Sequence, residues 1–79
     1  MGAAYSKSEK DYIERIGNRI REFRIEADLS QEKLAFACGL DRTYIGSVER
    51  GERNISVINL RKIAKALNIE VSALLNIKE

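Results

Sequence analysis

Between two short helical stretches the chain leaves room for almost no loop. Residues 31–38 and 42–50 each show helical spacing of apolar groups, and only Gly39-Leu40-Asp41 separates them. Gly39 fits the left-handed position that ends a helix, and Asp41 is an N-cap candidate for the next one. A turn this short makes the two helices cross steeply instead of lying antiparallel. The second helix is then held off the body by the first. Leu34, Ala35 and Cys38 face inward on the first, and Ile45 and Val48 on the second. Arg42, Thr43 and Gly46-Ser47 are expected to project outward between that buried pair.

The remaining chain follows the same helical period. Ile13, Ile16, Ile20, Phe23 and Ala27 recur at spacings of 3, 4, 3 and 4, the stripe of an amphipathic helix about 18–20 residues long. Ser8, with Asp11 three residues on, is expected to cap it, leaving residues 1–8 as a flexible lead-in to one domain over residues 9–79. Ser30 caps the second helix, and Leu29 and Leu34 sit where a hydrophobic staple would place them. Gly51 stops the third, and Glu52-Arg53-Asn54-Ile55 reads as a polar loop. Ser56 caps a fourth helix whose inward stripe is Val57, Leu60, Ile63, Ala64 and Leu67, ending at Asn68. A short fifth helix is expected after Ser72, with Ala73, Leu74 and Leu75. No strand alternation or internal repeat interrupts this pattern, so the fold class is all-α, with five helices.

Composition removes several kinds of chemistry. The chain of 79 residues contains no histidine, the commonest general base and transition-metal ligand, and a single cysteine, Cys38. Disulfide frameworks and cysteine-pair zinc sites are therefore excluded, and neither an enzyme, a metal nor a cofactor is expected. Cys38 reads as a small buried hydrophobe. No apolar run approaches the ~20 residues of a membrane span, so no membrane partner is expected and the cytoplasm is the expected location. Fourteen Lys and Arg against twelve Asp and Glu leave a net charge of +2, and no block is uniformly basic. Any anion binding must come from placed donors, not from a charged tail. On the first helix, carboxylates alternate with Arg15, Arg19, Arg21 and Arg24, the pattern of a solvated face.

An α-helix fits the major groove of B-DNA, where Arg can grip guanine O6 and N7 and where Thr and Ser can donate or accept. That is one reading of Arg42, Thr43 and Ser47; a steep helix pair also occurs in bundles that bind nothing. Gly46 is either a close approach to DNA or a tolerated surface glycine. Five large apolar groups lie between residues 69 and 77. Either they all close the core, or some of Ile69, Val71, Leu74 and Leu75 form a two-fold interface with the fourth helix, which is the expectation. Reading a palindrome needs two recognition helices about 34 Å apart, which gives a dimer its purpose.

Gln31-Glu32-Lys33-Leu34-Ala35, Gly39-Leu40, Ile45 and Val48-Glu49-Arg50-Gly51 together resemble the helix-turn-helix of the Cro and phage-repressor (XRE) family, over about residues 13–76. Leu40-Asp41-Arg42-Thr43-Tyr44-Ile45, with Val48 through Ser56, is similar more narrowly to controller proteins of restriction–modification systems. The resemblance implies a dimeric transcriptional regulator on a palindromic double-stranded operator, with RNA polymerase as a further partner; a phage-type repressor or stand-alone regulator is the next reading, and a protein-interaction module of the same fold the last. It implies base reading by Arg42, Thr43 and Ser47. It implies a phosphate contact from Gln31 at a helix N-terminus, and backbone or groove contacts from Tyr44, Arg53 and Asn54. It also implies a structural ion pair between Arg24 and Glu49.

Overall fold

The computed structural model describes residues 4–78. Five helices follow one another: α1 (Lys7–Glu26), α2 (Gln31–Cys38), α3 (Arg42–Glu49), α4 (Val57–Ala66) and α5 (Val71–Leu75). The all-α expectation is met.

Local chemistry sets the ends of these helices. The hydroxyls of Ser30 and Ser56 accept from the N–H groups of Lys33 and Asn59, and the Asp41 carboxylate accepts from Thr43. Each satisfies an amide that has no partner within its own helix. Four helices stop the same way, with a left-handed residue at Asp28, Gly39, Gly51 or Asn68. The next amide in each case reaches back to a carbonyl five residues earlier: Leu29 to Arg24, Leu40 to Ala35, Glu52 to Ser47 and Ile69 to Ala64. Leu29, Leu40 and Ile69 then fold against the core, the hydrophobic contact that accompanies this closure.

Helix α1 begins earlier than the expected Ser8 cap. Ser6 is the cap: its hydroxyl accepts from the Glu9 amide, and the Glu9 carboxylate accepts from the Ser6 amide at 2.8 Å. A glutamate is long enough to complete this reciprocal box. Asp11 is engaged elsewhere, in an ion pair with Arg15 at 2.7 Å. Lys7 and Ser8, read as lead-in, are therefore the first residues of α1; residues 1–3 of that lead-in lie outside the described residues. Helix α5 likewise starts at Val71, ahead of the expected Ser72 cap.

The core joins Ile16 and Ile20 of α1, Leu34 and Ala35 of α2, Ile45 and Val48 of α3, and Leu60, Ile63, Ala64 and Leu67 around α4, closed below by Leu74. Cys38 is half-buried at its edge, and that burial pushes its thiol pKa up. Two expectations fail at the margins. Val57 opens α4 and points away from the body, 79% exposed, while Ile55 from the polar loop packs on the core instead. The arginines of α1 are also not simply solvated. Arg15 and Arg19 donate to the carbonyls of Lys78 and Ala73, fastening the C-terminal segment to α1.

Gly17 makes the closest helix crossing possible. A Cβ there would stand 3.0 Å from the Glu49 carbonyl oxygen and closer still to that of Val48. Without one, α1 lies directly against the backbone of α3, which fixes where α3 stands.

Candidate nucleic-acid interface

The turn between α2 and α3 is as tight as expected, and it turns the start of α3 toward solvent. Arg42 and Thr43 are both exposed, and among the described residues neither side chain is engaged in a hydrogen bond within the chain. With its side chains an α-helix is about 10–12 Å across, which fits the roughly 12 Å width of a major groove, and α3 runs for eight residues.

Behind this edge α3 is held by a buried ion pair. Glu49 leaves α3 toward α1, where Arg24 grips it with two bonds, Nε to Oε2 at 2.6 Å and Nη2 to Oε1 at 3.0 Å. The Arg24 side chain is 11% exposed and that of Glu49 2%. Arg24 also donates to the Leu29 carbonyl at 2.8 Å, and Gln31 donates to Glu49 Oε1 at 3.0 Å. The structural pair implied by the resemblance is thus in place, and no buried side-chain polar atom among the described residues lacks a partner. The network joins α1, the α1–α2 turn, the first residue of α2 and the last residue of α3.

Gln31 meets α3 at Gly46. A Cβ on Gly46 would lie 3.2 Å from Arg50 Nη1 and 3.5 Å from Gln31 Oε1. Gly46 is buried beneath these two side chains, so it is not a surface glycine, and a Cβ there would make the Arg50 guanidinium shift by a few tenths of an ångström. Arg50 pairs with Glu52 through two bonds of 2.9 and 3.2 Å. The Arg50 hydrogen bond holds the Glu52 carboxyl below its usual range, and the same contact raises the Arg50 guanidinium. The sequence reading passed over this pair, although two opposite charges straddling a left-handed glycine were the available signal.

Ser47 does not project outward. It is 5% exposed; its hydroxyl donates to the Tyr44 carbonyl at 2.7 Å and accepts from Arg53 Nε at 3.1 Å. The α3–α4 loop folds back over α3 and covers it, which removes it from the base-reading set. Arg53 also lies over the Tyr44 ring, 5.7 Å from its centre, and the Tyr44 hydroxyl accepts from Asn59 of α4. Asn54 donates to the Tyr5 hydroxyl at 3.2 Å, so the segment before α1 touches this loop.

The expected interface residues divide. Leu74 is wholly buried and belongs to the core, because α5 turns it under α1 and α4; Ile69 and Val71 pack half-buried against that core. Only Leu75 of the four turns outward. Leu75 lines a surface cavity with the exposed Tyr12 of α1 and Val57 of α4, and Ile58 beside Val57 in the chain is exposed as well. Among the described residues no group of three or more Cys, Asp or Glu is placed to hold a metal ion. No helix is long and apolar enough to cross a membrane.

A short helix fixed across a tight turn, with the next helix anchored from behind and bare in front, defines a helix-turn-helix DNA-binding protein. The profile of the helix-turn-helix family matches residues 20–74, and the chain belongs to this family, in its XRE-type branch. It is a DNA-binding transcription regulator. Among similar proteins is the control protein C.BamHI of Bacillus amyloliquefaciens, 49% identical over 61 residues, covering 76% of this chain and 75% of that protein. The structure of the restriction–modification controller protein C.AhdI from Aeromonas hydrophila superposes with a TM-score of 0.77 at 53% identity, covering 81% of this chain and 96% of that one. SinR, a master regulator for biofilm formation solved in complex with DNA, gives a TM-score of 0.75 at 35% identity, covering 77% of this chain and 98% of its own.

Proposed function

We propose that the chain acts as a dimeric controller of a restriction–modification system, binding a palindromic operator in the cytoplasm. The carrying observation is the unpartnered N-terminal edge of α3, with Arg42 and Thr43 free to meet base edges. Gln31, at the first residue of α2, keeps one Nε2 N–H beyond its bond to Glu49, beside backbone amides that suit a phosphate. The likeness to C.BamHI and C.AhdI supports the controller role, and the DNA-bound SinR supports the duplex as partner.

Size argues for two copies. One domain measures 32 × 28 × 19 Å and presents one recognition helix. Successive turns of one major-groove face lie about 34 Å apart, so a single chain cannot reach both half-sites. Val57, Ile58 and Leu75 supply exposed apolar surface for the pairing. Occupancy then recruits or blocks RNA polymerase according to where the operator lies.

The test is selection from a randomised duplex pool, followed by footprinting and salt titration. The expected product is a palindrome protected on one face. Affinity should fall steeply with salt, the logarithmic slope losing about 0.9 per phosphate contact. Arg42→Ala should cost about 1–3 kcal/mol and relax one base pair per half-site. Binding indifferent to both salt and sequence overturns this reading in favour of a protein-interaction module.

A further inference from the structure

Ser47, displaced from the base-reading set, has a different part to play. Its hydroxyl carries one proton, which it gives to the Tyr44 carbonyl one turn back on α3. Its lone pairs are thereby turned toward the loop, where Arg53 Nε donates to them. The Tyr44 ring lies beneath the same guanidinium and is itself held through its hydroxyl by Asn59. Three of the four groups that fix Arg53 in place therefore belong to the recognition helix or are carried by it.

This arrangement uses one of the five guanidinium N–H groups and leaves four. Among the described residues, the two Nη groups of Arg53 donate to nothing within the chain, and the residue is exposed. An arginine with its stem oriented and its fork free is a donor set in advance. Without that contact the side chain would have to surrender its rotamer freedom on binding. We propose that Ser47 is a positioning residue: it holds Arg53 so that both Nη groups meet the duplex beside α3. The inference rests on the DNA-binding reading and says how the loop takes part in it.

The probe is the duplex enriched by the wild-type protein from a random pool about 30 base pairs long, enough for two half-sites. Ser47→Ala should weaken binding by about 3–10-fold, the cost of ordering an untethered arginine side chain on binding. Alanine suits a helix and leaves no buried charge, so the melting curve should stay cooperative. In an Arg53→Lys background, which keeps the charge but has no Nε–H to meet the hydroxyl, Ser47→Ala should change affinity less than about twofold. Equal losses in both backgrounds would mean that Ser47 acts on its own, as a base contact or a helix strut, and would overturn the proposal. No loss in either background overturns it as well. A wild-type protein that enriches no duplex rejects the DNA-binding reading itself, a different outcome from either.

Discussion

Replacing Glu49 by alanine should strongly destabilise the domain, because its carboxylate is the partner of a buried guanidinium. Arg24 sits with its side chain 11% exposed and directs two bonds at a carboxylate that is 2% exposed. Removing that carboxylate strands a guanidinium in the protein, with only the Leu29 carbonyl still accepting from it. Breaking one side of such a pair costs about 3–5 kcal/mol. A domain of 79 residues has, at about 0.05–0.15 kcal/mol per residue, roughly 4–12 kcal/mol in total. The loss is therefore between a quarter of the stability and all of it. For a domain this size it corresponds to a fall in Tm of about 12–40 °C.

Urea and thermal denaturation followed by circular dichroism, at fixed protein concentration, measure this directly. The informative control removes both charges. Arg24→Met with Glu49→Leu leaves no stranded ion and refills the space with apolar groups. It should recover at least half of the single-variant loss. Recovery should be incomplete, because the Leu29 carbonyl loses its donor. A Glu49→Ala cost under about 1 kcal/mol, or a double variant no better than the single one, would refute the claim that a desolvated charge is what makes Glu49 necessary.

Three further outcomes follow from the packing. Gly17→Ala gains about 1 kcal/mol of helix propensity, yet it should destabilise by about 1–3 kcal/mol because its Cβ meets the carbonyls of α3; a higher melting temperature would refute the close crossing. Leu75→Asp should yield a folded monomer in sedimentation, whereas Leu74→Ala should cost about 2–5 kcal/mol in stability; the reverse pattern would exchange their assignments. The Glu52 carboxyl should titrate below an ordinary glutamate by NMR, and Arg50→Ala should return it upward. Because its folded pKa is lowered, the contribution of the pair is present above the unfolded glutamate pKa and lost as pH falls through the folded one. Both groups are exposed, so titration shows this better than stability does.

The parts of this fold that were legible in the sequence are those decided within a few residues. Ser30, Asp41 and Ser56 each cap the helix immediately behind them, and Gly39 and Gly51 each stop one; no distant contact is needed to settle these positions. The Arg24–Glu49 pair was reachable only through resemblance, since 25 residues of separation leave no periodic trace. What stayed hidden depends on where two elements meet. Ser47 shares a helical face with Thr43 and so reads as exposed; only the return of Arg53 across α3 buries it. Gly17 carries no local sign of its role, because nothing near it in the sequence shows that the backbone of α3 crosses there. Leu74 and Leu75 are equally apolar and adjacent, so composition cannot divide core from surface until α5 is given its rotation. The residues proposed to meet DNA and those that hold them in place are thus read by different means. The former follow from exposure on one short helix, and the latter appear only once the loop, α1 and α4 close around it.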